Sequence, residues 1–398
     1  MGIKNLKVLL NQYCQSAITN RKLEDYSKYS AENMDDSYRI IFGIDLSIFL
    51  HKYLYNNNDH LEGLSRLILR LLKNHITPLF IFDGKPPKEK DNTIKSRKDK
   101  RDFMSIKRSI NEYAISIDRD NFQDFKNNML DFIENQNSSY IIDDEEIKNI
   151  FDKPINELKI ETDKLSKKII YVTSYHIESS KELFDLFGIK YIHAPCEAES
   201  LLAMLCKNNY IHGCISEDTD VLVNGGYLFL RNFNADKNTI DEYCLHGILN
   251  NLKITQEQFI DLCILCGCDY TDKIYGMGPI TAYKLILNYG TLEEILRNNK
   301  KYIIPENFKY DIARELFRNP ISKEVFDSID KKIYIKEPQI DKLLIFLSKT
   351  TLKKRHVNEI SSNLINYYLN IERIGLSESK KKEDKLKKVL KITDFYKK

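Results

Sequence analysis

The chain has 398 residues and contains no run of about 18 apolar residues, which excludes a transmembrane helix. Its opening, MGIKNLKVLL, is too short and too rich in lysine for a signal peptide, and Leu6 stands where an N-myristoylation signal needs Ser or Thr. The sequence also lacks any repeat with a period of about 20 to 50 residues. We therefore expect an intracellular globular protein without a membrane partner.

The eight cysteines do not have the spacing of a disulfide framework, because four of them crowd into residues 244–268. Cys263, Cys266 and Cys268 suggest a zinc site, but a closed site needs a second ligand pair, and Cys244 and His246 are the nearest candidates. The alternative is a buried helix in which cysteine serves as a small apolar residue.

The chain also lacks a large net charge, because 61 basic residues nearly balance 58 acidic ones. The charges are nevertheless divided along the chain. Residues 84–108 carry a net charge of +6, residues 118–163 carry −8, and residues 380–398 carry +6. Such blocks usually form solvated faces or tails, but two basic blocks beside a balanced body are also typical of a protein that binds a polyanion.

Short β-branched and aromatic runs alternate with amphipathic helical patterns, which predicts an α/β fold with a central, mostly parallel sheet. The predicted strands are residues 39–44, 78–82, 168–172, 190–192, 213–216 and 227–230. The predicted helices include residues 61–74, 177–187, 197–207 and 280–288.

Residues 84–165 do not fit the sheet, and we interpret them as an insertion that stands off it. The insertion is expected to be helical near its start and less regular in its acidic middle; a surface excursion without function is the alternative. The other predicted regions are residues 1–83, 166–260 and a helical region over 261–375. A basic tail over residues 376–398 follows, whose composition cannot bury a core.

Ligands of an open parallel sheet collect beyond the carboxyl ends of its strands, and here those ends are acidic. Seven acidic residues follow predicted strands or lie at helix ends: Asp45, Asp83, Glu197, Glu199, Asp218, Asp220 and Asp269. A single acidic residue at such a position would usually stabilise a turn or cap a helix. Seven close together raise one another's pKa, so such a cluster is tolerated mainly when cations neutralise it.

Oxygen ligands suit Mg²⁺ or Mn²⁺ rather than zinc. Two such ions about 3.5 to 4 Å apart would bridge a scissile phosphate, activate water and stabilise the leaving oxygen. The pattern of acidic strand ends therefore favours a metal-dependent enzyme that acts on phosphate esters.

The motifs FGIDLS, PLFIFDGKPP, YIHAPCEAES, ISEDTDVLV and LCGCDYTDKIYGMGP follow the opening MGIKNL in this order. In content and order they resemble the flap endonucleases, from residue 1 to about residue 375. The resemblance implies a PIN-like nuclease that cuts DNA at the base of a 5′ flap with two divalent metals, as a monomer at sites of DNA replication. It also implies that the seven carboxylates hold the metals, with Asp45, Asp83 and Asp218 acting in catalysis.

The basic residues of the insertion extend this resemblance. Lys90 and Arg97 are seven positions apart, which places them on one face of a helix, and Arg101 continues that face. In the family, a Lys and an Arg at this spacing reach from a helical arch to the scissile phosphate, where preorganised cations neutralise developing charge. An exposed charged helix is the alternative.

The segment Gly276-Met277-Gly278-Pro279 before a helix predicts a hairpin of the helix-hairpin-helix type, whose glycines let the backbone approach a phosphate. The resemblance implies that this hairpin contacts duplex DNA and also binds a monovalent cation. It implies further DNA contacts at Gly2, His51, Arg70, Glu197, Gly267 and Asp269; for Arg70, a plain surface charge is the alternative. His51 stands where the family has a base-stacking Tyr, and residues 56–59 are shorter than the family's apolar wedge.

The tail contains Val389-Leu-Lys-Ile-Thr-Asp-Phe-Tyr396. It resembles a sliding-clamp docking box at Ile392, Phe395 and Tyr396, although Val389 occupies the position of the expected Gln. A chance hydrophobic cluster is the alternative.

The leading interpretation of the whole chain is a structure-specific 5′ flap endonuclease. A 5′ exonuclease or a junction nuclease on the same scaffold stays open as an alternative. A non-catalytic DNA-binding and clamp-docking scaffold would require a broken metal set, whereas all seven carboxylates are present.

Overall fold

The structure is a computed structural model that describes residues 2–26, 40–55, 59–135, 141–234, 237–298, 301–333, 336–350 and 352–374. The chain divides into two units. The first combines residues 1–50, 59–89 and those from 174 onwards, and the second combines residues 51–58 and 90–173.

A seven-stranded sheet lies in the first unit. Its strands are β1 (Ile18–Lys22), β2 (Ile40–Asp45), β3 (Ile76–Phe82), β4 (Tyr191–His193), β5 (Gly213–Ile215), β6 (Leu228–Asn234) and β7 (Thr239–Cys244), in the spatial order β1-β7-β6-β5-β2-β3-β4. Strands β6, β5, β2, β3 and β4 run parallel to one another, whereas β7 and β1 are antiparallel to their neighbours. The prediction of an α/β fold with a mostly parallel sheet is thus confirmed.

Helices make up most of the rest of the described chain. They are α1 (Leu6–Tyr13), α2 (Leu46–Tyr55), α3 (His60–Lys73), α4 (Asp91–Ser116), α5 (Phe122–Asn135), α6 (Asp144–Asp152), α7 (Ile155–Lys168), α8 (Ser174–Phe187), α9 (Ala198–Lys207), α10 (Asp220–Val223), α11 (Leu245–Leu252), α12 (Gln256–Cys266), α13 (Pro279–Tyr289), α14 (Leu292–Arg297), α15 (Tyr310–Arg318), α16 (Lys323–Ser328), α17 (Ile340–Ser348) and α18 (Lys354–Ile374). Within the described ranges, no helix is long and apolar enough to cross a membrane.

Strand β3 shows how the sheet is buried, since every one of its positions is buried. Leu79 and Ile81 belong to the core cluster that includes Leu201 of α9, whereas the ring of Phe80 stacks on Phe184 of α8 with centroids 4.1 Å apart. Because side chains alternate along a strand, helices cover the sheet on both faces. Polar groups of β3 therefore remain available only at its end, where Asp83 follows Phe82.

One predicted strand, residues 168–172, is wrong. Lys168 ends α7, and the residues after it form neither helix nor strand. Preference for a strand depends on a neighbouring strand to pack against, and the described part of the second unit contains none. The sequence also does not predict β7 or β1; four of the five residues of β1 are exposed, so it lacks an apolar signal.

The second unit has a hydrophobic core of its own, formed by helices α4 to α7. Its buried members include Ile110, Ala114, Phe125, Met129, Ile147, Ile150 and Leu158. The acidic segment, which the sequence suggests to be irregular, forms α6 and α7 over residues 144–168 apart from a short break. Its few apolar residues recur at helical spacing and bury one face, which outweighs the high charge of the other faces.

Candidate metal centre and DNA-binding surface

Asp45 is the last residue of β2 and is buried, with 4% of its surface exposed. The hydroxyl of Ser216, just beyond β5, donates a hydrogen bond of 3.0 Å to Asp45 Oδ2, and the backbone N–H of Ile48 donates to Oδ1 at 3.4 Å. Burial, followed by the charges of Asp83 and Asp218, raises the pKa of Asp45 to about 8. The carboxyl group of Asp45 is therefore held where its negative charge is disfavoured unless a cation is near.

Asp83 follows β3, on the neighbouring strand, and is exposed. The N–H of Ala198, at the start of α9, donates to Asp83 Oδ1 at 2.9 Å, and the hydroxyl of Ser47 donates to Oδ2. A Cβ on the next residue, Gly84, would stand 2.1 Å from the carbonyl oxygen of Ala194. The glycine thus lets the end of β3 approach the loop before α9, which brings Asp83 to that helix.

Glu197 and Glu199 are both buried at the start of α9, where Glu197 is the N-cap residue. The Tyr270 hydroxyl donates to Glu197 Oε2 at 2.8 Å. Burial, followed by the charge of Asp220, raises the pKa of Tyr270 well above its ordinary value, so the phenol stays protonated and remains a donor. Tyr270 is the neighbour of Asp269, which is half-buried, and it links that segment to the start of α9.

Asp218 lies in the loop between β5 and α10, Asp220 is the first residue of α10, and both are buried. The N–H of Asp220 donates to Asp218 Oδ1 at 3.0 Å, and the N–H of Ile3 donates to the hydroxyl of Thr219 at 2.9 Å. A Cβ on Gly2 would stand 2.2 Å from Asp218 Oδ1. The first residues of the chain therefore lie directly on the acidic loop, and Gly2 has no room for a side chain.

Three of the seven carboxylates form a compact group. Oxygen atoms of Glu199, Asp218 and Asp220 all lie within 4.8 Å of one another. Asp45 is linked to this group through the charge of Asp218 and through the Ser216 hydroxyl, which also accepts a hydrogen bond from the Asp218 N–H at 3.0 Å. The donor set consists of oxygens alone, which fits a hard divalent cation rather than zinc.

Among the described residues, the cysteines belong to no group of side chains placed to hold a metal ion. Cys263, Cys266 and Cys268 are buried in the apolar core of the first unit. Burial raises the pKa of both Cys266 and Cys268 to about 12, so these thiols are not thiolates at neutral pH. The interpretation of cysteine as a small apolar residue is the one that the structure supports.

The predicted hairpin lies at the start of α13. Gly276 has a backbone φ of 75°, a conformation that favours glycine, and Gly278 is the N-cap residue before Pro279. A Cβ on Gly278 would meet no heavy atom within 4 Å, so its backbone faces open space. Arg70, another predicted DNA contact, lies on α3 with its guanidinium 5.9 Å from the ring centre of Phe233.

The remaining predicted contacts belong to the second unit. Lys90 is buried and stands at the N-cap of α4, whereas Arg97 is exposed within that helix. The guanidinium of Arg101 lies 5.5 Å from the ring centre of Tyr171, and His51 lies in the second half of α2. A role of Lys90 and Arg97 at the carboxylates of the first unit stays a prediction. Ile392, Phe395 and Tyr396 lie outside the described residues.

Three polar residues at this site are missed by reasoning from sequence. Ser47 and Ser216 hold the carboxylates of Asp83 and Asp45, and Tyr270 holds Glu197. Ser47 and Ser216 each follow a strand end closely, which is a weak signal that sequence could have offered. The partner of Tyr270 is 73 positions away, so its role appears only in the folded chain.

A mostly parallel sheet with carboxylates grouped at the carboxyl ends of its strands fits a metal-dependent enzyme that cleaves phosphodiesters. Two family models match the chain, the XPG N-terminal domain over residues 1–103 and the XPG I-region over residues 188–269. Flap endonuclease 1 of Glycine max is 31% identical over 402 residues, covering 99% of this chain and 91% of that protein. The chain belongs to the flap endonuclease family.

Solved structures show the same fold. The catalytic core of Rad2 in complex with DNA substrate matches with a TM-score of 0.61 and 22% identity, over 90% of this chain and 98% of that one. Flap endonuclease-1 from Methanococcus jannaschii matches with a TM-score of 0.56 and 21% identity, over 90% of this chain and 99% of that one.

Proposed function

We propose that the protein is a structure-specific endonuclease that hydrolyses DNA at the junction of a 5′ flap, using Mg²⁺. The observation that carries this proposal is the group formed by Glu199, Asp218 and Asp220 at the strand ends of a chain that matches a flap endonuclease over nearly its whole length. A DNA phosphodiester is the substrate class that fits both the acidic metal-binding group and the family.

The seven carboxylates would hold two Mg²⁺ ions, for which Mn²⁺ can substitute. Bound there, the ions would supply an activated water and stabilise the leaving oxygen of the phosphodiester. Burial and the neighbouring acids raise the pKa of Asp45 to about 8, which favours a protonated carboxyl group without metal, and bound cations would favour the carboxylate. Asp83, exposed at the end of the neighbouring strand, is the accessible member of the set.

Protein groups around the carboxylates fix their orientation. Ser216 and Ser47 donate hydrogen bonds to Asp45 and Asp83, and Tyr270 donates to Glu197. At Asp45 and Asp83 the second carboxylate oxygen accepts a backbone N–H, from Ile48 and Ala198, so each of these two carboxylates is oriented at both oxygens. Such outer hydrogen bonds typically change metal affinity or activity by about 10- to 100-fold when removed.

DNA is positioned by backbone and by cationic side chains. The hairpin at Gly276 and Gly278 is suited to a duplex phosphate and to a monovalent cation, because a Cβ at Gly278 would meet no heavy atom within 4 Å and the backbone there can be approached closely. Lys90 and Arg97 supply positive charge to the scissile phosphate in this proposal. The docking box at Ile392, Phe395 and Tyr396 binds a sliding clamp, which would bring the enzyme to sites of DNA replication.

The decisive experiment is cleavage of a labelled 5′-flap substrate with Mg²⁺ and with chelator. Linear single-stranded, nicked and four-way junction substrates of the same sequence are run in parallel. Incision at the flap junction that requires Mg²⁺ and exceeds cleavage of the other substrates supports the proposal. Preference for the nicked substrate would indicate a 5′ exonuclease, and preference for the four-way substrate a junction nuclease. Cleavage of none of these substrates would indicate a non-catalytic scaffold.

A further inference from the structure

Gly267, which follows α12, lies beside the side chains of two lysines that come from different segments of the chain. Its backbone φ is 106°, a conformation that L residues rarely adopt. A Cβ at Gly267 would lie 3.1 Å from Cδ of Lys273 and 3.3 Å from Cδ of Lys4. The aliphatic parts of both lysines therefore converge on the point that a side chain of residue 267 would occupy.

The two lysines reach this point from different segments, each of which is fixed. The N–H of Lys4 donates to the carbonyl oxygen of Gly267 at 3.0 Å, and the preceding residue, Ile3, is bonded to Thr219 between Asp218 and Asp220. Lys273 lies four residues after Asp269 and three before Gly276. The pair thus stands between the candidate metal centre and the hairpin, both in the first unit.

Neither lysine has an acidic partner within reach of a salt bridge in the part of the chain that the structure describes. Lys4 is exposed, and Lys273 is half-buried. Because both stems start from this region, a phosphate placed over Gly267 would lie within reach of both ammonium groups. Because the long lysine stems pack against a glycine instead of a side chain, the charged ends remain free to meet a ligand.

We propose that Lys4 and Lys273 together form a binding site for one backbone phosphate of the bound DNA, between the scissile phosphate and the hairpin. The proposal rests on the proposed function, because it takes DNA as the ligand. The backbone conformation favours glycine at residue 267, and a side chain there would press both lysine stems aside. The pair contributes to affinity and to the register of the DNA, and it takes no part in bond cleavage.

The test measures affinity for a 5′-flap DNA with chelator present, so that no cleavage occurs, over a series of salt concentrations. The variants are Lys4→Gln, Lys273→Gln and the double variant. A protein that neutralises fewer phosphates has a shallower dependence of affinity on salt, and the slope falls by about 1 for each phosphate that is no longer neutralised. We expect the slope of affinity against salt to fall by about 1 in the double variant. Because both lysines serve one phosphate, the double variant should lose less affinity than the sum of the single losses.

Two controls separate this site from general charge effects. Lys207 is exposed at the last residue of α9, whereas Glu197 and Glu199 lie at the start of that helix. Lys207→Gln should therefore leave the slope unchanged. Lys4→Arg with Lys273→Arg keeps both charges and should restore the slope.

A slope in the double Gln variant equal to that of the wild-type protein would overturn the inference, as would strictly additive losses. Wild-type binding and Mg²⁺-dependent cleavage of the flap substrate are measured beside the variants. If these are absent, the proposed function fails; if they are present while the lysine variants behave like the wild type, the lysine site alone fails.

Discussion

Asp45 illustrates how the fold sets the chemistry of one residue. Its place at the end of the mostly buried strand β2 removes water from the carboxylate, and the neighbouring acids Asp83 and Asp218 add repulsion. The two hydrogen bonds from Ser216 and Ile48 offset part of this effect, since they favour the charged form. The balance raises the pKa, which means that the folded, metal-free protein holds a proton that the unfolded chain releases.

This balance predicts how metal-free stability depends on pH. Between the ordinary pKa of 3.8 and the folded value of about 8, the folded protein binds more protons than the unfolded chain. The free energy of unfolding therefore falls as pH rises through this interval. Melting temperatures of the wild type and of Asp45→Asn, measured in chelator from pH 5 to 8, should differ increasingly in favour of the variant. Parallel curves for the two proteins would contradict the raised pKa.

At the scale of single elements, α4 carries the cations that the proposed function assigns to the scissile phosphate. Lys90 is buried at its N-cap and Arg97 is exposed about two turns later. Alanine at either position should lower the single-turnover cleavage rate far more than it weakens flap binding, because a cation that acts on the transition state affects the rate.

Lys98→Ala is the matched control for these variants, because Lys98 is exposed and lies about 100° around the helix from Arg97. It should leave the single-turnover rate close to that of the wild type. A loss in the Lys90 or Arg97 variant that vanishes at saturating enzyme would show that the residue is an ordinary phosphate anchor.

The core of the second unit gives a further prediction about α4. Ile110 and Ala114 of this helix pack with Phe125 of α5, which is completely buried. Phe125→Ala should destabilise the unit by about 3 to 5 kcal/mol, since a large buried ring is lost. Hydrogen exchange of the α4 amides should accelerate in this variant and stay unchanged in Ile160→Ala, which removes an exposed side chain of α7. Unchanged exchange in Phe125→Ala would show that α4 is stable without this core.

At the scale of the whole molecule, the sequence predicts the parts that have strong local signals. The buried strands β2 and β3 are continuous apolar runs, and the acids at their ends follow from strand order and side-chain alternation. The exposed strand β1 and the helices α6 and α7 are set by packing against distant partners, so composition alone misjudges them. The bond from Tyr270 to Glu197 likewise depends on the folded chain.

The tail is expected to act separately from the folded units. A peptide of residues 386–398 should bind the cognate sliding clamp, because Ile392, Phe395 and Tyr396 would form one apolar surface on a short helical turn. Phe395→Ala combined with Tyr396→Ala should remove stimulation by the clamp without changing cleavage by the enzyme alone. Clamp stimulation that persists in this double variant would place docking elsewhere on the chain.

Single-turnover cleavage of a labelled 5′-flap substrate by Asp218→Asn, with Mg²⁺ and saturating enzyme, tests the role of the grouped carboxylates most directly. We expect a loss of more than about a hundredfold, because removing residues that merely orient metal ligands already costs about 10- to 100-fold. Flap affinity in chelator should stay close to that of the wild type, since phosphate contacts elsewhere dominate binding. Asp341→Asn, an exposed aspartate in the first turn of α17, is the matched control and should cleave normally. Full cleavage by Asp218→Asn would contradict the assignment of these carboxylates to the metal centre.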